Sequence, residues 1–268
     1  KPAPGGAEFY LVTQLMDSDL NRVIRKSFKD LTDAHLQYIF YQTFRALQYL
    51  HSGNVIHRDI KPSNILSNED CDVVMCDFGF ARDTASSAEM TEYVVTRFYR
   101  APEVMLSSQR YSKAVDVWSV GCTIYEMLTG KPLFQTKNYL DLIKLIVDTL
   151  GKPSADELAF ITNEKGRAFI LGLPDAPPQR VSARLLGLGA NPLLLDLLDR
   201  CLAFNPAQRP TAEQALRHPY FAPLFEEKDV VQFHGAIDFR FDSDESLGLP
   251  ELTRMIAATV AEVNRFQP

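Results

Sequence analysis

His57-Arg58-Asp59-Ile60-Lys61-Pro62-Ser63-Asn64 is the stretch whose reading decides the fold of this 268-residue chain. A long helical pattern precedes it. An apolar segment, Val73-Val74-Met75-Cys76, follows and ends in Asp77-Phe78-Gly79. Taken alone, the acid, the bases and the amide of this octapeptide would suit an ordinary polar turn. The spacing points further. Asp59 is a candidate base for a hydroxyl, and Lys61 a cation beside a moving phosphoryl group. Asn64 and Asp77 are two candidate oxygen ligands for Mg²⁺. Phosphoryl transfer needs little else, because its catalysis is mostly positioning and charge neutralisation.

Three pieces occur in order: H-R-D-x-K-P-x-N at 57–64, D-F-G at 77–79, and Ala101-Pro102-Glu103. Together they resemble the catalytic loop, the metal-binding motif and the substrate-segment end of protein kinases. The resemblance implies an α+β, protein-kinase-like fold with a mainly helical large lobe and only the last strand of the small lobe present. It also implies ATP as phosphoryl donor, with Mg²⁺ held by Asn64 and Asp77.

Composition narrows the classes. With 46% hydrophobic residues the chain can bury a sizeable core in one or two domains. A net charge of −6 argues against nucleic acid or anionic lipid as the main partner. Cys71, Cys76, Cys122 and Cys201 lie in apolar contexts without C-x-x-C spacing, as expected of free buried thiols in a reducing compartment rather than of a zinc site. Lys1-Pro2-Ala3-Pro4-Gly5-Gly6 lacks the apolar core of a signal peptide, and no apolar run nears the ~20 residues of a membrane span. A cytoplasmic or nuclear chain is expected.

In order, residues 1–8 read as a flexible leader and Glu8–Thr13 as a strand rich in aromatic and branched residues. The resemblance implies that Gln14 and Met16 offer backbone groups to adenine, that Thr13 is the gatekeeper, and that Asp19, Ser63, Leu66 and Cys76 complete the nucleotide site. Thr32 is a candidate N-cap for a helix from Asp33 to about Ser52, with Gly53 as its C′ stop. Leu36, Ile39, Phe40, Leu47 and Leu50 form its core stripe. Ile65-Leu66 and Val73-Val74-Met75 read as a small hairpin that holds Asn64 and Asp77 on one side of a cleft. Val115–Thr129 is apolar almost all round, so it must be a buried central helix ending at Gly130. Asp116 opens that helix; the resemblance implies that it accepts backbone hydrogen bonds from the catalytic loop.

Leu140–Leu150 is amphipathic, Asn191–Phe204 reads as a leucine-rich helix, and Thr211-x-x-Gln214 as a capping box. Residues 134–190 match the length of an insert found in one kinase family and carry no evident chemistry. Arg209 is the expected buried partner of Glu103.

Between D-F-G and A-P-E lies Thr91-Glu92-Tyr93, where the chain resembles the mitogen-activated protein kinases of the extracellular-signal-regulated, Thr-Glu-Tyr class. The resemblance implies phosphorylation of Thr91 and Tyr93, with Arg58, Arg82, Arg97 and Arg100 to pair with the phosphates. Thr96 to Glu103 matches the family's substrate-binding segment except at Phe98, where Trp is usual; the ring is kept and the indole N–H is lost. In that family Lys61 and Thr96, beside Asp59 and Asn64, imply a serine/threonine kinase, and a segment of this type ahead of Ala101-Pro102-Glu103, which leaves no backbone acceptor for an amide N–H, implies that it is proline-directed. Implied partners are an upstream dual-specificity kinase, and substrates and activators whose basic docking motifs meet Glu226 and Asp229 in the acidic tail. Neither nucleic acid nor membrane is expected as a partner, and the chain is expected to be a monomer.

The resemblance runs from Glu8 to Phe266, including a last amphipathic helix from Leu249. It divides the chain into 1–17 (leader, last small-lobe strand and hinge), 18–225 (large lobe) and 226–268 (acidic docking region and tail helix). No G-x-G-x-x-G phosphate loop, V-A-I-K lysine or partner glutamate occurs, as expected of a large lobe plus hinge. The alternative reading is a catalytically incompetent large-lobe fragment that serves as a docking module.

Overall fold

The structure, a computed structural model, describes residues 10, 12–83, 97–106, 112–235, 237, 239 and 246–265. Two compact units divide the chain: Met16–Ile237, and Lys1–Leu15 together with Asp238–Pro268.

In the larger unit, β1 (Ser18–Asp19) runs straight into α1 (Leu20–Ser27), whose N-cap Asp19 accepts the Arg22 backbone N–H at 3.0 Å. The long helix α2 (Asp33–Ser52) has the expected bounds. Thr32 Oγ1 accepts the His35 N–H at 3.4 Å while His35 Nδ1 accepts the Thr32 N–H at 3.1 Å, so imidazole stands where a capping box usually has Glu or Gln. Leu36, Ile39, Phe40 and Leu47 are buried and Leu50 is half-buried. Tyr41, Phe44, Gln48 and His51 are buried as well, because α2 packs on five other elements at once.

The end of α2 differs from expectation. Gly53 has φ −83°, and Asn54 (φ 60°) is the left-handed residue that turns the chain. Asn tolerates that region better than most side chains. Gly53 itself lies close to Phe233: a Cβ there would lie 3.1 Å from Cδ1 of that ring, which would have to give by a few tenths of an ångström.

The strands are short. The order β1–β3–β4 joins Ser18–Asp19, Ile65–Ser67 and Val73–Met75, all antiparallel, with Asp19 opposite Leu66 and Ile65 opposite Met75. The expected hairpin is thus formed. A second pair joins β2 (Val55–Ile56) to β5 (Arg82–Asp83).

Then follow α3 (Pro102–Leu106), α4 (Ala114–Thr129), α5 (Tyr139–Leu150), α6 (Glu164–Leu171), α7 (Pro192–Cys201) and α8 (Ala212–Leu216). As its composition predicts, α4 is buried on every side, with Trp118 stacked on Phe134 at 5.6 Å, and it stops at Gly130 (φ 73°). Each large apolar side chain so enclosed contributes about 1.5–3 kcal/mol. The helix expected over Asn191–Phe204 is shorter than predicted. Asn191 is its N-cap, and the carbonyls of Ala203 and Phe204 turn to Arg209, accepting Nε at 2.8 Å and Nη2 at 3.1 Å. The Thr211–Gln214 capping box is formed.

Within 134–190, α5 ends at Gly151 (φ 96°), where a Cβ would meet Pro178 Cα at 2.5 Å. No L side chain fits that junction.

Tyr10, Val12 and Thr13, the described residues of the strand expected over Glu8–Thr13, lie outside any strand and are exposed. Branched and aromatic residues suit a sheet, but a strand also needs a neighbour to take its backbone hydrogen bonds. The smaller unit contains α9 (Leu249–Arg265), which carries an Arg254–Glu251 pair at 2.7 Å. All four cysteines are free; Cys122 and Cys201 are buried as expected, whereas Cys71 and Cys76 are only half-buried. Burial pushes the Cys201 thiol up to about 12. Among the described residues no helix is long and apolar enough to cross a membrane.

Candidate active site

The octapeptide leaves β2 and is tied down at once. Asp116, fully enclosed on α4, accepts the His57 backbone N–H at 2.9 Å and the Arg58 backbone N–H at 2.8 Å. A third group, His51 Nε2 in the last turn of α2, meets the same carboxylate at 2.9 Å. A buried carboxylate needs that many partners. The anchors also hold Arg58 at φ 69°, a conformation that costs a non-glycine residue about 1–3 kcal/mol.

The His57 ring does a second job. Its Nε2 donates to the Cys76 carbonyl at 3.1 Å, its Nδ1 accepts the Asp59 N–H at 3.3 Å, and Phe78 packs on it at 5.0 Å between centroids. These partners assign the proton to Nε2. The Cys76 N–H in turn donates to the Asn64 carbonyl at 3.0 Å. The catalytic loop and the strand leading to Asp77 are therefore one cross-tied unit.

Asp59 is buried, and one of its oxygens takes the described contacts. Oδ2 accepts Lys61 Nζ at 2.7 Å and Asn64 Nδ2 at 2.9 Å. Asn64 Nδ2 also donates to the Asp59 carbonyl at 2.9 Å. The carboxylate is thus clamped from one side, and Oδ1 is left for a hydroxyl donor. With its amide nitrogen engaged, Asn64 presents Oδ1, which among the described residues accepts only Ser63 Oγ, at 3.4 Å. Asp77 is exposed at φ 64°, and its carboxylate accepts one long bond, from Gly79 N–H at 3.4 Å. Two hard oxygen donors with spare lone pairs, on adjoining segments, fit Mg²⁺, which asks a protein for few ligands.

Of the residues expected around the nucleotide, Asp19 and Leu66 are paired across β1–β3, while Ser63 flanks Asn64 and Cys76 bonds to it. Met16 begins the same compact unit; Thr13 and Gln14 belong to the other. Thr91, Tyr93 and Thr96 lie outside the described residues.

Arg97 and Arg100 converge on Tyr139, with their Cζ atoms 4.9 and 5.7 Å from its ring centroid. Arg82 Nη1 donates to the Ala81 carbonyl at 2.7 Å. Glu103 and Arg209 form the expected pair, Oε1 to Nη1 at 2.6 Å and Oε2 to Nη2 at 2.8 Å, and both are buried. The tail acids differ from one another. Asp229, its side chain 12% exposed, accepts Tyr41 Oη at 2.5 Å and pairs with Arg45 at 3.1 Å. Burial and that bond push the Tyr41 phenol up to about 12. Glu226 is 61% exposed and meets Lys228 at 2.5 Å.

His51, the His57 ring, Tyr41 and Tyr139 escaped the reading of the sequence. Apart from the Asp59 N–H on the His57 ring, the partners described for them lie 19 or more residues away, and no local spacing marks them.

The protein kinase domain family matches residues 5–221 of the chain. Mitogen-activated protein kinase mpkB of Aspergillus fumigatus is 50% identical over 243 residues, covering 89% of this chain and 68% of that protein. Mitogen-activated protein kinase 2 of Pneumocystis carinii is 49% identical over 265 residues, covering 96% and 74%. Mitogen-activated protein kinase 3 of Arabidopsis thaliana is 43% identical over 258 residues, covering 96% and 69%. The chain belongs to the mitogen-activated protein kinase family, a family of ATP-dependent protein kinases.

Proposed function

We propose that the protein transfers the γ-phosphoryl group of ATP to serine or threonine hydroxyls followed by proline, and that phosphorylation of Thr91 and Tyr93 switches it on. The observation that carries this reading is the asymmetric clamp on Asp59. Lys61 and Asn64 hold Oδ2, so Oδ1 is the oxygen that accepts the proton of an attacking hydroxyl. Lys61, fixed 2.7 Å from that carboxylate, places its positive charge beside the phosphoryl group in transit. Asn64 Oδ1 and the Asp77 carboxylate would hold Mg²⁺, which neutralises phosphate charge when bound. Asp19, Ser63, Leu66 and Cys76, gathered around β1–β3–β4, would border the nucleotide, with Met16, Gln14 and Thr13 on the preceding segment.

Serine/threonine preference is supported by Lys61 and by Thr96. Selection of proline at the next position is supported by the Arg97–Arg100 segment. An upstream dual-specificity kinase would modify Thr91 and Tyr93, and basic docking motifs would approach Glu226 and Asp229. Of the two acids Glu226 is the open one, whereas a peptide reaching Asp229 must compete with Arg45. The proposed setting is the cytoplasm and nucleus.

The test is phosphate transfer by the full-length protein, doubly phosphorylated, to matched peptides carrying Ser-Pro, Ser-Ala or Tyr-Pro. Selective labelling of Ser-Pro is expected. Equal labelling of all three would overturn the specificity, and absence of nucleotide binding would return the chain to a docking module.

A further inference from the structure

The end of α2, the start of α4 and the segment that leads into α8 line a cavity of about 410 Å³. Gln48, His51, Lys113, Val117, Pro206 and Ala212 are among its lining residues. That size suits a small organic molecule. Two of the lining groups are unmet. Gln48 is only 4% exposed, and its Oε1 is buried without a hydrogen-bond partner. A buried amide oxygen in that state costs stability and calls for a donor. Lys113 donates to Asn54 Oδ1 at 2.9 Å, and among the described residues it meets no carboxylate. Burial pushes its ammonium group below the usual lysine range, so an anion beside it would interact more strongly than in open water.

The other polar groups of the wall are already engaged. Arg209 makes five hydrogen bonds, to Glu103 and to the carbonyls of Ala203, Ala114 and Phe204. Glu213 pairs with Arg217 at 3.3 Å, and His51 Nε2 with Asp116 at 2.9 Å. Between them the wall is apolar, from Val117, Ala212 and the Pro206 ring. A matching occupant therefore needs an anion for Lys113, an N–H for Gln48 Oε1 and an apolar body. We propose that this cavity binds amphiphilic carboxylates that carry an amide N–H, of the N-acyl amino acid class. The carboxylate pairs with Lys113, the N–H donates to Gln48 Oε1, and the acyl chain lies along Val117, Pro206 and Ala212.

The site is separate from the phosphoryl-transfer loop, yet one of its walls reaches that loop. His51 meets Asp116, which accepts the backbone N–H groups of His57 and Arg58. The His51 ring is thus a reporter placed in the cavity wall.

The experiment titrates N-hexanoylglycine and 4-(hexanoylamino)butanoate, which differ in the spacing of N–H and carboxylate, into the full-length protein and follows the His51 ring resonances. Saturable binding of at least one is expected. Two relatives of the tighter probe serve as controls: its methyl ester, which lacks the charge, and the fatty acid of equal length, which lacks the N–H. Each should bind the parent about threefold to tenfold more weakly than the probe. Gln48→Leu should lose the preference over the fatty acid and keep that over the ester, and Lys113→Met should do the reverse. A merely structural role for either residue would not split the preferences in this way. Absence of saturable binding would overturn the site. A fatty acid or an ester that binds the parent as tightly as the probe would overturn the ligand class, whether or not the variants fold. Preferences that persist unchanged in both variants would put the probe elsewhere and overturn the assignment to this cavity.

Discussion

His51 Nε2 lies 2.9 Å from Asp116 Oδ2, and Oδ2 also accepts the His57 N–H at 2.9 Å, so α2, α4 and the catalytic loop meet at one oxygen. The loop's position relative to α4 depends on that oxygen. Asp116→Asn keeps the size but turns one of the two acceptor oxygens into a donor that faces a backbone N–H, so it should displace Asp59. A misplacement of about 1 Å costs on the order of 10²-fold in rate. Turnover of Asp116→Asn is expected to fall by about that factor with nucleotide affinity nearly unchanged, measured by steady-state kinetics beside a nucleotide titration.

Asp59 and Asp77 should fail differently. Asp59→Asn is expected to lose most turnover, on the order of 10²–10⁴-fold, with little change in nucleotide affinity. Asp77→Asn should also weaken Mg²⁺-dependent nucleotide binding. Titrations with and without Mg²⁺ distinguish the two, and equal, mild effects from both changes would refute the roles assigned.

The Glu103–Arg209 pair should be sensitive to loss of either partner. Both side chains are buried, and the Arg209 guanidinium also lies 4.8 Å from the Trp118 ring. Glu103→Gln leaves an uncompensated buried cation, at a cost of about 3–5 kcal/mol. Urea unfolding should show the midpoint moving down with the slope preserved.

Glu126 gives the fold a pH dependence. It is buried on α4 and accepts Tyr99 Oη at 2.6 Å. Burial pushes its carboxyl above the usual range, although the Tyr99 bond and the charge of Arg25 pull the other way. Folded Glu126 therefore holds its proton more tightly than unfolded Glu126. That contribution to stability is complete below the ordinary glutamate value of about 4.3 and is lost as pH rises through the folded value. Glu126→Gln should remove the loss. Relative to the parent it should gain stability between pH 4 and pH 8, read from paired unfolding curves.

The parts of the fold legible in sequence were those set by neighbours in the chain. Thr32 and Thr211 mark helix starts, Gly130 marks a stop, and the apolar girth of 115–129 demands burial; all four are local statements. That Asp59, Lys61 and Asn64 would meet was legible because one short loop carries all three. What escaped is non-local. Composition suggested a strand over Glu8–Thr13, but whether a strand forms depends on a pairing partner that composition does not specify. Gly53 answers to Phe233, and the end of α7 to Arg209. His57 was quoted as a motif letter, but its work as a strut between Cys76 and Asp59 exists only once the two segments lie side by side.

The ties that hold the loop and the helices around it differ greatly in reach. His57 and Asp116 are 59 residues apart, Glu103 and Arg209 are 106 apart, and Ser52 receives the Phe233 N–H across 181 residues. Chains emerge from the ribosome N-terminus first, and distant contacts close late. When Asp59 is made, nothing that fixes it from α4 yet exists. A growing chain holds every residue of 57–64 long before it can hold them in place, and the end of α2 does not gain its Ser52 contact until Phe233 arrives. Premature termination anywhere between 116 and 233 would thus release a polypeptide with its reactive groups present and their framework unfinished.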